Sequence, residues 1–357
     1  MFEQCSLDFL KRLLESAGPS GFEMEPAKIF REEITGFCHR VETDVMGNTL
    51  GVLNPDAPFR VMLAGHYDEI GFQVVHISDE GLIYFRRVGG IDKLNVPSSE
   101  VEIITETGKV PGIIGKKPIH LLKDSERNAA IELEDLWIDI GVDSREDAEK
   151  LVSVGDPIVM RANFRMLNEN RVMSKGLDDR IGSFIVAETL RELAKRDLKV
   201  GVYGVGTVQE ELGYRGAIPA AFGIAPQIGF GIDVGFATDL PNIPKKIFGE
   251  VKLGAGPELT RNSDSNPVLW KQLCDLAKAK EIPYQVTCGY RASGGTDTCM
   301  MQLTHAGAAT ALIHIPNRYM HSPVEMCDLR DAAGTVQLLT EYIASLTGEE
   351  QFRPGID

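Results

Sequence analysis

The chain has 357 residues, 43% of them hydrophobic and 25% charged, enough to bury one large core or two modest ones. Its net charge of −15 excludes the basic footprint of a nucleic-acid binder and argues equally against an anionic membrane surface. No apolar run is long enough to span a bilayer, and the start, MFEQCSLDFLKRLLESAG, lacks the basic, apolar and small-residue regions of a secretion signal, so a cytoplasmic protein is expected.

Leu7, Phe9, Leu10, Leu13 and Leu14 recur at helical spacing, which predicts a first helix with Ser6 as its N-cap. EMEPAKIFREEITGF is a second amphipathic helix. HRVETDV, NTLGVL and FRVMLAGH then read as strands, with a turn at DVMGN. From about residue 72 to 165 the character changes to short strands punctuated by Gly, Pro, Asp and Asn, with only SREDAEKLV helical; this predicts a small barrel or sandwich. After about residue 170, helices alternate with buried strands: DDRIGSFIVAETLRELAKR is an amphipathic helix, KVGVYGVGTV and QIGFGIDVG are strands, NPVLWKQLCDLAKAKE is a helix, ATALIHIPN is a strand and DLRDAAGTVQLLTEYIASLTG is the last helix. Such alternation predicts a mixed, mostly parallel sheet covered on both faces. The expected fold is therefore α/β, a three-layer sandwich of the phosphorylase/hydrolase-like kind. Residues 1–70 and 166–357 form its discontinuous catalytic domain, and residues 71–165 are an inserted all-β, barrel-like domain.

In sheets of this type, sites lie at the carboxyl ends of the strands. After VMLAG come His66 and Asp68; before the long helix come Asp178 and Asp179; after GVGTVQ come Glu210 and Glu211; after GFGI comes Asp233; after LIHIPNRYM comes His321. One acid at one strand end is ordinarily a helix cap, and Asp178 alone would be read so. Carboxylates converging from this many ends would repel one another and lose hydration, a cost that bound dications remove. A His and Asp/Glu set without cysteine suits zinc, cobalt or manganese. The six cysteines, Cys5, Cys38, Cys274, Cys288, Cys299 and Cys327, contain no C-x-x-C pair and read as reduced structural thiols. Glu210 and Glu211 would point to opposite faces of a regular strand, but Gly213 and Gly216 let the backbone turn so that both reach one site, one binding metal and the other free as a base.

The ordered motifs GHYDEIGF, KGLDDRIG, VGTVQEELGYRGA, GIDVG, SGGTDT and IPNRYMHSPVEMCDLRD resemble family forty-two of the metallopeptidases, the tetrahedral aminopeptidases. The resemblance covers nearly the whole chain, including KPIHLL and LEDLWIDIG in the insert. It implies two divalent ions, zinc or cobalt with manganese as a third candidate. His66 and Asp233 would hold one ion, Glu211 and His321 the other, and Asp178 would bridge them. Glu210 would be the general base, Asp68 would orient His66, and the peptide bond after Asp178 would be cis. It also implies that the insert mediates dimerisation and that dimers assemble into a homo-oligomer, a tetrahedral dodecamer. The substrates would be peptides, cut after their first residue. The chain departs from the family at Tyr67, where a small residue or Met is expected, and at Gly235, where Thr is usual; both positions bear on substrate preference.

Alternatives remain on the same residues. A metal-dependent deacylase or carboxypeptidase would present the same centre. Some relatives carry the name endoglucanase, but a glycosidase needs two carboxyls flanking the glycosidic bond, which adjacent Glu210 and Glu211 do not suggest. A non-catalytic scaffold would have little use for Glu210. His76 reads as a packing or surface residue, His39, His120 and His305 have no partner evident in the sequence, and His314 reads as a core histidine or a pocket wall. GGTD predicts a tight turn with Asp297 as a helix cap, and PGIIGKKP lacks the spacing of a phosphate loop, since Gly112 and Gly115 enclose too few residues.

Overall fold

Helices and strands mostly alternate in the C-terminal half of the chain, whereas its middle is almost all strand. The computed structural model describes residues 2–124, 130–289, 292 and 295–355. Helices α1 (Gln4–Glu15) and α2 (Met24–Thr35) precede strands β1 (Arg40–Thr43), β2 (Thr49–Leu53) and β3 (Arg60–His66). The middle contains β4 (Gly71–Ile77), β5 (Ile83–Val88), β6 (Glu100–Thr105), β7 (Gly108–Gly115), β8 (Trp137–Asp139), the short α3 (Arg145–Glu149) and β9 (Pro157–Met160). There follow β10 (Arg165–Met166), β11 (Arg171–Ser174), α4 (Leu177–Leu193), β12 (Gly201–Thr207), α5 (Ala217–Ile224), β13 (Ile228–Phe236) and α6 (Lys245–Phe248). Next come β14 (Glu258–Thr260), α7 (Pro267–Ala279), β15 (Gln285–Thr287), α8 (Asp297–Gln302), β16 (Ala309–Arg318), β17 (Glu325–Asp328) and α9 (Leu329–Ser345).

The strands from β4 to β9 close into a barrel in the order β4-β5-β8-β7-β6-β9, filled by Phe72, Val74, Ile83, Val101, Ile103, Ile138 and Ile158 among others. The remaining strands form one sheet in the order β1-β2-β12-β3-β13-β16-β17-β11-β10, with β14 joined to β16 and β15 to β14. The sheet is parallel at its centre, β12-β3-β13-β16, and antiparallel towards both flanks. This is the mixed α/β sheet with an inserted barrel that the sequence predicts.

The period of two along β3 shows the layering. Val61 and Leu63 belong to the core made with α1, α2, α4, α7 and α9. Met62 and Ala64 belong to a smaller core with Ala220, Ala221 and Ile224 of α5 and Met301 of α8. Each fully buried Leu, Ile or Phe in these layers contributes roughly 1.5–3 kcal/mol.

Several expectations need correction. α4 is not an amphipathic surface helix. It lies against β3, β12 and β13 on one side and α1, α2 and α9 on others, so Arg180, Ser183, Glu188 and Thr189 are buried with its apolar residues. Ser6 does not cap α1. Glu3 occupies that position, and Ser6 lies buried inside the helix, donating from Oγ to Glu188 Oε2 at 2.9 Å. The short strands β14, β15 and β17 were not foreseen, being only three or four residues long.

β3 and α4 approach closely at Gly65. A Cβ there would lie 2.5 Å from the carbonyl carbon of Gly182 and 2.6 Å from the Ser183 nitrogen. Those atoms are backbone and cannot rotate away. Gly65→Ala is therefore expected to destabilise the protein by about 1–3 kcal/mol or more, read as a lowered midpoint in chemical denaturation.

Candidate metal centre

The parallel strands deliver their C-terminal residues to one edge of the sheet. His66 is the last residue of β3 and stands beside Thr207, the last of β12. Asp233 lies on β13, paired with His314 of β16. Asp178 enters from the first turn of α4, where Asp178 and Asp179 depart from helical φ/ψ and the peptide bond between them is cis. Regular helix starts only after Asp179, whose Oδ1 accepts the Gly182 N–H at 3.1 Å. Asp179 thus takes the capping role expected of a lone acid at Asp178, and leaves Asp178 free.

The adjacent acids reach one site because β12 ends in a sharp turn. Gln209 takes a left-handed conformation (φ 54°), Glu210–Leu212 form a single 3-10 turn, and Gly213 is again left-handed (φ 106°). A non-glycine residue at positive φ is costly and persists only where its surroundings impose it. Here the Gln209 N–H is held by Glu23 Oε1 at 3.1 Å.

The result is two donor groups that share one residue. His66, Asp178 and Asp233 form the first; Asp178, Glu211 and His321 form the second; within each, the donor atoms lie within 4.8 Å of one another. His66 Nε2 is 3.3 Å from Asp178 Oδ1, and His321 Nε2 is 3.2 Å from Asp178 Oδ2. The two oxygens of Asp178 therefore face different histidines. Glu211 Oε1 lies 3.3 Å from His321 Nε2 and has no hydrogen-bond partner among the described residues. Glu210 Oε2 lies 3.8 Å from His66 Nε2 and belongs to neither group.

Burial and mutual repulsion act together on these carboxyls. Glu210 and Asp233 are pushed well above the ordinary carboxylate range by burial and then by neighbouring acids, against the pull of His66. Burial also raises Glu211. Asp178 resists its burial because His321 and His66 hold it low. His321 is lifted to about 11, since Asp178 and Glu211 overcome the burial that would lower it. The chemistry of this donor set, imidazole nitrogens and crowded carboxylate oxygens with one orphaned oxygen, fits a divalent cation.

Two carboxylates fix the rest. Asp68 is fully buried and lies 3.3 Å from His66 Nδ1, which is also 3.2 Å from the Asp68 carbonyl. Between two oxygens Nδ1 can only donate, so a neutral His66 turns its Nε2 lone pair to the site. Asp68 further accepts the N–H groups of Glu210 (3.1 Å) and Glu211 (3.2 Å) and the Ser20 hydroxyl (2.6 Å). Glu325, at the end of SPVE, accepts the N–H groups of Asp178 (2.9 Å) and His321 (3.0 Å). Its only sequence signal is an acid four residues after His321.

Other expectations resolve here too. Asp297 is buried, but Thr296 caps α8, accepting the Thr298 N–H at 3.2 Å; Asp297 instead accepts the Thr207 hydroxyl at 2.5 Å. Of SGGTDT, Ser293 and Gly294 lie outside the described residues. His314 is both of the things foreseen. It shares a 2.9 Å hydrogen bond with Thr260 and lines a cavity of about 350 Å³ that opens beside Asp178, Glu210, Glu211, Asp233 and His321. Tyr67 packs away from that cavity, its hydroxyl donating to the Gly47 carbonyl at 2.5 Å.

The model of the M42 glutamyl aminopeptidase family matches residues 47–338. The lysyl aminopeptidase of Pyrococcus furiosus is 35% identical over 342 residues, covering 95% of this chain and 97% of that one. Among solved structures, a TET aminopeptidase from the marine sediment archaeon Thaumarchaeota archaeon SCGC AB-539-E09 superposes with a TM-score of 0.92 at 35% identity, covering 97% of this chain and 98% of that one. The Pyrococcus horikoshii TET1 peptidase, described as assembling into a tetrahedron or a large octahedral shell, gives 0.86 at 32% identity, covering 96% and 100%. The chain belongs to the M42 family of metallo-aminopeptidases, hydrolases of peptide bonds that use divalent metal.

A buried ion cluster joins the two sides of the site. Glu69, three residues after His66, accepts from Lys175 Nζ at 2.7 and 2.6 Å and from Arg180 Nη2 at 2.8 Å. Burial would raise the Glu69 carboxyl, but Arg180 and Lys175 outweigh it and hold it below its ordinary 4.5. Its contribution to stability is then fully present above about pH 4.5 and is lost as pH falls through the lower folded value. Glu69→Gln strands two buried cations and is expected to cost about 3–5 kcal/mol at pH 7. The gap between variant and wild type should narrow in denaturation curves taken below pH 4.5.

Proposed function

We propose that this protein releases N-terminal amino acids from peptides at a dinuclear centre of zinc or cobalt, with manganese as a third candidate. His66, Asp178 and Asp233 would hold one ion, and Asp178, Glu211 and His321 the other. The observation that carries this reading is the division of Asp178, whose two oxygens lie 3.3 and 3.2 Å from two different histidines. Bound there, such ions acidify water and polarise the scissile carbonyl.

Glu210 is the general base. It is buried beside both donor groups yet outside them, and burial with neighbouring acids raises its proton affinity. It takes a proton from the attacking water and returns it to the leaving amine. Asp68 serves two members at once, keeping the proton of His66 on Nδ1 and pinning the backbone of Glu210 and Glu211. Glu325 does the same for Asp178 and His321. The substrate's free α-amine would be held by a metal or by nearby carboxylates, which makes the enzyme an exopeptidase. A deacylase on the same residues would not need that amine, and a glycosidase would not need the histidines.

The test is a panel of aminoacyl-p-nitroanilides with N-acetylated controls, assayed after chelation and after adding back Zn²⁺, Co²⁺ or Mn²⁺. Cleavage of free-amine substrates alone is expected, lost on chelation and restored by metal. Glu210→Gln should lower kcat by about 10²–10⁴-fold. Cleavage of the acetylated controls would replace the aminopeptidase by a deacylase or an endopeptidase.

The residue 71–165 insert is proposed as the dimerisation domain. Its barrel exposes Val75, Ile113, Leu151 and Val154. Together with the shell-forming TET1 relative, this supports a closed homo-oligomer. Sedimentation velocity should show a dodecamer of the 39.2 kDa chain. A lone monomer at micromolar concentration would count against it.

A further inference from the structure

The turn after β12 is held in an unusual way. Val208 donates its N–H to Asn48 Oδ1 at 3.0 Å, Gln209 to Glu23 Oε1 at 3.1 Å, Glu210 to Asp68 Oδ1 at 3.1 Å and Glu211 to Asp68 Oδ2 at 3.2 Å. Consecutive backbone N–H groups are thus accepted by side-chain oxygens from segments distant in the chain. Asn48 also donates from Nδ2 to the Gly216 carbonyl at 2.9 Å, which ties the start of the loop to its end. The path so fixed contains the left-handed Gln209 (φ 54°), and Glu210 and Glu211 follow it directly. An ordinary φ at Gln209 would send the residues after it in another direction.

Glu23 is the member of this cradle that its own helix does not explain. It stands at the N-cap position of α2, yet its side chain makes no capping hydrogen bond there. Its Oε1 accepts the Gly21 N–H at 2.6 Å and, from across the fold, the Gln209 N–H. The residue is buried, and burial, followed by nearby Asp68, pushes its carboxyl up to about 7. That is an unfavourable place for an acid. A carboxyl protonated on Oε2 still accepts at Oε1, so both N–H groups are held whether or not the group is charged.

Glu23 is itself registered to the end of β3. Gly18 donates its N–H to Glu69 Oε1 at 3.2 Å, Ser20 donates its N–H to the Glu69 carbonyl at 3.2 Å, and Glu69 donates its N–H to the Gly18 carbonyl at 3.0 Å. The Ser20 hydroxyl reaches Asp68 Oδ2 at 2.6 Å. Residues 18–23 are therefore a strap from the strand end that carries His66 to the turn that carries Glu210.

We propose that Glu23 is a positioning residue for peptide cleavage: by holding Gln209 in its left-handed turn, it fixes where Glu210 stands against the two donor groups. The inference rests on the aminopeptidase reading above and adds to it a residue that acts only through Gln209.

The experiment measures kcat and KM separately on the metal-loaded protein, with the aminoacyl-p-nitroanilide that the wild type cleaves fastest. Glu23→Ala is expected to lower kcat by about 10- to 100-fold, the effect of a slightly misplaced catalytic group, with KM changed by less than about threefold. Glu23→Gln offers an amide oxygen to the same N–H groups and should keep kcat within about threefold of the wild type. The deciding variant is Gln209→Gly, because glycine takes a left-handed φ without strain and needs no holding. Added to Glu23→Ala, it should return kcat to within about threefold of Gln209→Gly alone. A Glu23 that served only to dock α2 would show no such rescue. Should Glu23→Ala not fold, Glu23→Asp, whose carboxyl is one methylene short of Gln209, takes its place in the same cycle. An unchanged kcat in Glu23→Ala overturns the inference, as does a defect that Gln209→Gly leaves in place or that Glu23→Gln shares. Those failures leave the aminopeptidase reading intact, whereas a wild type that cleaves no free-amine substrate with any metal overturns that reading and this inference with it.

Discussion

Burying a carboxylate among other carboxylates is unfavourable on two counts, lost hydration and mutual repulsion. The edge where β3, β12, β13 and the start of α4 meet does this with Asp178, Glu210, Glu211 and Asp233. A fold tolerates such an arrangement only if the groups are held rigidly and their charge is compensated. Rigidity comes from the parallel centre of the sheet, which fixes His66, Thr207 and Asp233 by strand register rather than by loop conformation. Compensation follows from the imidazoles and from divalent metal, which the M42 family uses. The acids are therefore poorly placed for a stable apo-protein and well placed for a metallo-hydrolase.

Around the crowded acids the fold repeats one device, a buried carboxylate accepting the backbone N–H groups of two residues whose side chains belong to the crowded cluster. Asp68 does this for Glu210 and Glu211, and Glu325 for Asp178 and His321. Each clamp works on the peptide rather than the side chain, so the side chains keep their oxygens and nitrogens for the site. The left-handed turns at Gln209 and His321 (φ 54° and 61°) lie next to or within these clamped peptides. Further out, Glu69 with Lys175 and Arg180 ties the end of β3 to the approach to α4, across the same gap that Asp178 spans. Arg180 also donates from Nε to the Tyr67 carbonyl at 3.1 Å, between His66 and Asp68.

Much of this was legible in the sequence because strand ends are legible. An apolar run followed at once by His66, Glu210 or Asp233 states both an element and the edge to which it delivers a side chain. The barrel insert was visible for a similar reason, as turn residues came at short, regular intervals. What escaped depends on contacts that no local pattern encodes. Glu325 matters through N–H groups at Asp178 and His321, one of them far away in the chain. α4 carries polar residues at intervals that imitate a solvated face, yet Arg180 and Glu188 there are paired inside the protein. Ser6 and Asp297 were read as caps because their residue types favour that role, but each is engaged by a distant partner, Glu188 and Thr207. The departure at Gly235 was visible as a departure, whereas its consequence needed the register of three strands.

That register also sets what stands beside the donor groups. β13 carries Asp233 into the donor group shared with His66 and Asp178, and two residues on it carries Gly235 beneath the Glu258 carboxyl. A strand repeats its facing every two residues at about 6.6 Å, so Asp233 and Gly235 share one face. A side chain at Gly235 would meet Glu258 and the His314 Cβ, whereas Asp233 stands in the donor group itself. The two positions are thus adjacent in space and separate in sequence, so a fold of this kind can vary the cavity wall without disturbing the donor groups.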